Sequence, residues 1–422
     1  MLDDMKHTMN IPKDWKLVKL GEMAEIIKKN YLPNNKENLK YIGLEHIEEG
    51  KLRLNSIGVS SEVKSTKYLF KAGDILFGKL RPDFRKVVKV NFDGVCSTDI
   101  WVIVAKQGVD QSYLFYFLAN WDFINLANYG EGGTRMPRAD WNFLKQIEFP
   151  LPPLSEQKAI AGVLSSIDDK IELLHRQNKT LEEMAMTLFR QWFIEPTKDG
   201  LPDGWEEVSL GDSKLSQIIP SGIKKFEGFK TYLATGDVKG TLIKGGVEIT
   251  YNNRPSRANM QPEKYSVWFA KKEGVRKLLM FDDRAVSTHF DAKEHSQSLQ
   301  SSENGARHSY SNTDKYILST GFTGLKTNEL SHYYIWCFIL SKDFQDIKDS
   351  LVSGSVQPDI PNEAVLQIFI PRPPNEVLLS FNEKVKPLFT KIQFNTYQIQ
   401  TLEKLRDTLL PKLMSGEIRV KI

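Results

Sequence analysis

The chain has 422 residues, 41% of them hydrophobic and 26% charged, with a formal net charge of +4, enough length for two cored domains but too little net charge to mark a nucleic-acid partner by itself. Two cysteines, Cys96 and Cys337, exclude a disulfide scaffold and point to a reducing compartment. No apolar run reaches the roughly 18 residues of a membrane span and Met1-Leu2-Asp3-Asp4 lacks the features of a signal peptide, so a cytoplasmic location without membrane attachment is expected.

In chain order, Ile11-Pro12-Lys13-Asp14-Trp15 and Leu20-Gly21 open a first globular half. Trp15 stands just before Leu-Gly at a domain start, which favours core packing over base stacking. From Lys64 to Val90 eight basic residues face two acidic ones, a net of +6. Asp74 to Phe77, Lys86 to Val90 and Ile100 to Val104 are strand-like runs between Gly and Asp turns, followed by an aromatic-rich helical stretch from Ser112 to Ala127. A Gly-rich loop, Gly133-Thr134-Arg135-Met136-Pro137, and a proline run at Pro150 to Pro153 close this half.

A long helix follows. Ile160, Leu164, Ile167, Ile171, Leu174, Asn178, Leu181, Ala185, Leu188 and Trp192 recur at alternating steps of four and three, the a/d seam of a coiled coil. From Glu156 to Glu195 it carries five basic and seven acidic residues, a balance poorly suited to lying along DNA. Pro196 and Gly200-Leu201-Pro202 end it.

The chain then repeats itself. Leu201-Pro202-Asp203-Gly204-Trp205 and Leu210-Gly211 echo the first opening, Ser319-Thr320-Gly321-Phe322 echoes Ser97-Thr98-Asp99-Ile100, and Gly354-Ser355-Val356-Gln357-Pro358 echoes the first Gly-rich loop. Thereafter the register holds without gaps, so Thr401-Leu402-Glu403 falls on Thr180-Leu181-Glu182. From Tyr251 to Phe290 the net charge is +4, so both halves concentrate basic residues at a comparable place. Ser331 to Asp346 is the second aromatic-rich helical stretch. A second seam runs through Phe381, Val385, Leu388, Ile392, Asn395, Ile399, Leu402, Arg406 and Leu409. Antiparallel pairing of the two helices satisfies both seams at once; the alternatives are that each caps its own domain or pairs with another molecule.

No motif of catalysis stands out. There is no Gly-Lys-Ser/Thr phosphate loop, no His-Glu-x-x-His and no Cys-x-x-Cys. Gly240 to Gly246 has the wrong glycine spacing for a dinucleotide site, and Ser287-Thr288-His289 beside Asp283 and Asp291 is a run of neighbours rather than a triad assembled in space. Such a chain reads as a binder.

The ordered set of motifs resembles the specificity subunit of type I restriction-modification enzymes over nearly the whole chain: Trp15 with Leu20-Gly21, Lys71-Ala72-Gly73-Asp74-Ile75-Leu76, Gly133 to Pro137, and Pro150-Leu151-Pro152-Pro153-Leu154-Ser155-Glu156-Gln157, with second-half counterparts. The second half departs where Lys71 to Leu76 should recur, since Gln261 to Ser266 is only a distant version. The resemblance implies an α+β fold class: two similar target recognition domains, 11–153 and 197–374, separated by two long antiparallel coiled-coil helices, 154–196 and 375–416, with pseudo-twofold symmetry.

It also implies a chain that catalyses nothing and reads a bipartite, asymmetric sequence in double-stranded DNA, the helices holding the two half-sites about one turn apart. Two modification subunits using S-adenosylmethionine, and restriction subunits using ATP and magnesium, are the implied partners. Candidate DNA contacts are Lys79, Arg81, Arg85, Lys86, Arg135 and Arg138 in the first half and Arg254, Arg257, Lys271, Lys272 and Arg276 in the second. Helix pairing is expected through Ile160, Leu164, Ile167, Ile171, Leu174, Asn178 and Leu181 with Val385, Leu388, Ile392, Asn395, Ile399 and Leu402. The competing reading is a non-catalytic scaffold whose repeated domains bind proteins.

Overall fold

Residues 11–33, 37–129, 137–211, 213–282, 312–351 and 359–421 are described by a computed structural model. Four helices organise them: α1 (Gln111–Ala119), α2 (Leu154–Phe189), α3 (His332–Leu340) and α4 (Asn375–Ser415). At 36 and 41 residues, α2 and α4 are about 54 and 62 Å long at 1.5 Å per residue. The chain divides into two compact units, Met1–Glu172 with Thr401–Ile422, and Leu173–Gln400. Each unit therefore takes part of both long helices.

In the first unit the short strands are β1 (Lys16–Lys19), β2 (Ala24–Ile27), β3 (Asn30–Tyr31), β4 (Lys40–Ile42), β5 (Gly58–Val59) and β6 (Lys67–Phe70). After them come β7 (Ile75–Gly78), β8 (Val87–Lys89), β9 (Gly94–Cys96), β10 (Ile100–Ala105) and β11 (Glu148–Leu151). They form sheets ordered β2-β10-β7-β8 and β3-β6-β9-β4-β5, plus the pair β1-β11. Strand β7 is buried at every position because both faces are covered. Helix α1 starts where the Asp110 carboxylate accepts from the backbone N–H groups of Ser112 and Tyr113, and all its residues from Tyr113 to Ala119 are buried. The unit's core joins α1 and β7 to Ile160, Ala161 and Leu164 of α2 and to Leu410, Leu413 and Met414 of α4.

The second unit repeats this plan. Its strands are β12 (Glu206–Ser209), β13 (Ser216–Ile218), β14 (Lys230–Leu233), β15 (Val238–Lys239), β16 (Leu242–Ile243) and β17 (Val247–Ile249). The rest are β18 (Ala258–Met260), β19 (Ser266–Ala270), β20 (Leu278–Phe281), β21 (Tyr316–Ser319), β22 (Phe322–Thr327) and β23 (Phe369–Arg372). The order β13-β22-β19-β20 matches β2-β10-β7-β8 strand for strand, and β17-β14-β21-β18 matches β5-β4-β9-β6. The parallel strand pairing recurs too, β4 with β9 and β14 with β21.

The long helices pair within each unit, and as the residue number rises on one it falls on the other, so they run antiparallel. In the first unit Arg406 meets Asp168 at 2.8 Å; in the second Asn395 donates to Asn178 at 3.0 Å, and the rings of Phe189 and Phe381 lie 6.4 Å apart. The two asparagines that interrupt the seams are thus each other's partners, which matches the Asn395 amide N–H with the Asn178 carbonyl oxygen between apolar residues.

The seam itself differs from a strict heptad. Ile160, Leu164, Ile167, Ile171 and Leu174, with Val385, Asn395 and Ile399, are buried. Leu181, Leu388, Ile392 and Leu402 are only partly so. Towards the helix ends burial moves on by one position, from Leu188 and Trp192 to Phe189 and Phe193, and from Leu402 and Leu409 to Glu403 and Leu410, while the seam residues Ala185 and Arg406 stay buried. A straight helix drifts about 20° per heptad against a 3.5-residue repeat. Here the drifting stripe is taken up by each unit's own core.

Candidate nucleic-acid interface

The basic clusters lie where β6 leads into β7 and β18 into β19, then on to β8 and β20. Lys71-Ala72-Gly73-Asp74 forms a turn in which the Asp74 carboxylate accepts from the Lys71 N–H at 2.7 Å. In the second unit Glu263-Lys264-Tyr265-Ser266 makes the same turn, with Ser266 Oγ accepting from the Glu263 N–H at 3.3 Å. Gly73 occupies the left-handed region at φ 96° and Tyr265 does so at φ 58°, a conformation a bulky residue adopts only at a cost. The backbone is kept although the residues changed.

Beyond β7 and β19 the chain is held in the same way in both units. Lys79 N–H donates to the Asp99 carbonyl at 3.0 Å and Lys271 N–H to the Gly321 carbonyl at 2.9 Å. Leu80 bridges to Arg138, as Lys272 bridges to Asp359. These equivalences sort the predicted cations into two groups.

One group is structural. The Arg85 side chain is 0% exposed; its Nε donates to the carbonyl of Ala119, the last residue of α1, at 2.7 Å and its Nη2 to Asp407 at 3.0 Å. Burial pushes its guanidinium pKa down and Asp407 opposes this. Arg276 does the equivalent work in the second unit, donating to the carbonyl of Leu340, the last residue of α3, at 3.1 Å and lying 3.7 Å from Glu182 of α2. Lys86 donates its ammonium to the Leu44 carbonyl at 2.7 Å, and Lys277 donates to the carbonyl of Thr235, at the start of the matching short turn, at 2.5 Å. The expectation that Arg85 contacts DNA is therefore corrected: it is a buried brace, whereas Lys86 is a half-buried tie to Leu44 and Arg276, although tied to Leu340, is itself exposed.

The other group faces outward. Arg81 and Arg138 are exposed and Lys79 is half-buried. Arg81 stacks on Phe84 at 3.8 Å, and Arg138 lies 3.4 Å from Asp99. In the second unit Arg257 and Lys272 are exposed, Lys271 is half-buried, and Arg254 stacks on Tyr251 at 4.0 Å. Burial lowers the Lys271 pKa, against Asp359 and Glu363. Arg135 of the first Gly-rich loop, and Ser287-Thr288-His289 with Asp283 and Asp291, lie outside the described residues.

The sequence reading missed an ionic network in the first unit. Arg406 joins Asp168 and Asp407, Asp407 also receives Arg85, Asp168 accepts from the Tyr116 hydroxyl at 2.8 Å, and Lys51 meets Glu403 at 2.5 Å. For Asp407, burial raises the carboxyl pKa, but the Arg406 and Arg85 guanidiniums outweigh it and hold it below the usual range. An Arg at a seam position was the available signal, because a buried cation there requires anions opposite. Among the described residues no group of three or more His, Cys, Asp or Glu could hold a metal ion, and no helix is long and apolar enough to cross a membrane.

Comparison with known proteins bears on both units. A family model described as the type I restriction modification DNA specificity domain matches residues 12–183. The Type I restriction enzyme MjaIX specificity subunit of Methanocaldococcus jannaschii is 28% identical over 97% of this chain and 95% of its own length. The Type I restriction enzyme EcoDI specificity subunit of Escherichia coli is 32% identical over 205 residues, 45% of this chain and 46% of that protein. The crystal structure of the Type-I restriction-modification system S subunit from M. genitalium shares the fold, at 16% identity and a TM-score of 0.51, covering 98% of this chain and 97% of that one.

Proposed function

We infer that the chain is a specificity subunit of the type I restriction-modification family, with sequence-specific DNA recognition as its role, and from that premise propose that each of its two units reads one half of a bipartite, asymmetric site. The observation that carries this reading is the repeated strand end, where β7 and β19 each run into an outward-facing basic turn built on the same backbone bridges. Lys79, Arg81 and Arg138 serve the first half-site, with Arg135 of the adjoining loop, and Arg254, Arg257, Lys271 and Lys272 serve the second. Arginines suit this task because a guanidinium forks onto guanine or phosphate. The antiparallel α2 and α4 set the unread gap between half-sites, about one DNA turn from centre to centre.

In this proposal the chain is the non-catalytic member of an assembly. Two modification subunits supply the adenine methylation with S-adenosylmethionine, restriction subunits supply ATP- and magnesium-dependent cleavage, and the assembly works in the cytoplasm.

The test is salt-dependent binding of the chain, assembled with its modification subunits, to a DNA fragment carrying the site those subunits methylate. Replacing Arg81 and Arg138 together by alanine should weaken binding and flatten the plot of log affinity against log salt by about 0.9 per lost phosphate contact. Unchanged affinity and slope would place DNA elsewhere on the chain. Binding that ignores salt altogether would favour the protein-scaffold reading instead.

A further inference from the structure

Lys348 is a buried cation of the second unit that takes no part in the proposed DNA contacts. It lies on the helix Lys342–Ser350 that follows α3, and its side chain is 1% exposed. Its ammonium donates to the carbonyls of Lys272 and Val275, each at 3.1 Å, and lies 3.2 Å from Asp349 Oδ1. An ammonium has three N–H donors and no acceptor, so these three contacts use it fully. Asp349 reaches the same turn, its Oδ1 accepting from the Gly274 N–H at 3.1 Å.

These partners belong to one short segment, in which Lys271 and Lys272 leave β19 and the chain turns through Glu273, Gly274 and Val275 towards β20. Its base is pinned by backbone bonds: the Ile360 N–H donates to the Lys271 carbonyl at 3.0 Å, and Lys272 bridges to Asp359. Beyond that base, Lys272, Glu273 and Gly274 are exposed, Gly274 takes a left-handed φ of 64°, and the Val275 N–H reaches the Lys272 carbonyl only at 3.4 Å. Such a turn has little shape of its own. Lys348 and Asp349 hold it from beneath, with two carbonyls and one N–H turned onto a single charged pair and the Lys272 side chain left on the exposed side.

The first unit meets the same need differently. In the helix Trp121–Asn128 that follows α1, Ala127 and Asn128 hold the positions of Lys348 and Asp349, and Ala127 is buried without a charge. There the cation comes from the turn itself: Arg85 donates to the Ala119 and Gly50 carbonyls, and the Gly50 N–H donates to the Phe84 carbonyl at 3.1 Å. Arg276, the equivalent of Arg85, is exposed and does not close the second turn in that way. An apolar side chain would fill the Lys348 site without the cost of desolvating an ammonium. What this charge serves is the turn's own backbone, not the core.

We propose that Lys348, with Asp349, is a positioning residue for the second half-site: it touches no DNA but fixes the turn that presents Lys271 and Lys272 to base edges. The inference rests on the reading above that this turn meets DNA. A lysine on a loose turn still finds phosphates, whereas contact with a base edge needs a fixed approach. Loss of Lys348 should therefore lower discrimination at one half-site and leave affinity for unrelated DNA as it was.

The test is equilibrium binding by the chain, assembled with its modification subunits, to fragments carrying the site those subunits methylate, intact or with each base pair of either half-site replaced in turn. The halves are assigned by exchange of residues 201–371. Lys348→Met should reduce the preference for the intact second half-site by about tenfold at one or more positions, the order of the cost of a single mismatched pair, and leave every first-half preference unchanged. Asp349→Ala, at a position 34% exposed, removes the Gly274 acceptor and should give a smaller loss in the same half; it carries the test if Lys348→Met does not fold. Lys272→Ala checks the reading itself and should weaken binding. If it does so while Lys348→Met and Asp349→Ala discriminate as the wild type, the positioning role is overturned and the reading stands. Equal loss at both half-sites would show a merely structural lysine and overturn the role as well. Wild-type binding by Lys272→Ala would mean that the turn does not meet DNA, and the reading and the inference would fall together.

Discussion

Arg81 and Arg85 are four positions apart, and their opposite fates show what a residue's surroundings decide. Arg81 is exposed over the Phe84 ring, while Arg85 is enclosed by two carbonyls and Asp407. Arg85→Ala should therefore reduce the unfolding free energy by on the order of 3 kcal/mol, seen as a lower urea midpoint, because it empties a buried site and leaves the Ala119 carbonyl without its donor, and Arg81→Ala should leave that midpoint unchanged. Equal effects of the two substitutions would contradict the assignment. Asp407 adds a pH dependence. Its folded-state pKa is held below the usual value by Arg406 and Arg85, so its contribution is present above the unfolded carboxyl pKa of about 3.9 and is lost as pH falls below it. The gap in urea midpoint between the wild-type chain and Asp407→Asn should be full at neutral pH and shrink in more acid solution below that value; a constant gap would mean that Asp407 is not charged in the folded chain. The sequence placed a basic cluster in each half but could not divide it, because Arg85 and Arg276 acquire their carbonyl acceptors only when α1 and α3 fold against the turns that carry them. Nor could it show that Tyr265 repeats Gly73, since a shared backbone conformation leaves no trace when the side chain changes.

Among the elements, the long helices were the most legible, because apolar spacing and flanking prolines are local signals. What the spacing did not reveal was the shift of one position towards each helix end, where α2 turns Phe189 and α4 turns Leu410 into the unit cores. That shift depends on contacts distant in sequence. The meeting of Asn178 with Asn395 likewise needed both helices in place. If the helix pair sets the gap, inserting seven residues in α2 after Thr180 and seven in α4 at the facing turn preserves the seam and adds about 10.5 Å. At 3.4 Å per base pair, methylation mapping should find the gap about three base pairs longer, with both half-sites unchanged. An unchanged gap would show that the helices are not the spacer.

At the scale of the whole molecule, the repeat visible in the sequence is a repeat of topology, down to the parallel pairing of β4 with β9 and of β14 with β21. The strand order could not be read from short apolar runs, because pairing partners such as β2 and β10 lie some 75 residues apart. Chemistry diverged on this shared frame: one unit braces its basic turn with Arg85 from within, and the other with Lys348 from the helix beneath. Such divergence is what two readers of different half-sites permit. The most direct measurement is methylation mapping of cells that carry the chain and its modification subunits, before and after residues 201–371 are exchanged for the corresponding domain of another specificity subunit. The account predicts a bipartite methylated sequence of which one half changes while the other half and the gap stay as they were. A single uninterrupted motif, or a change in both halves, would contradict it.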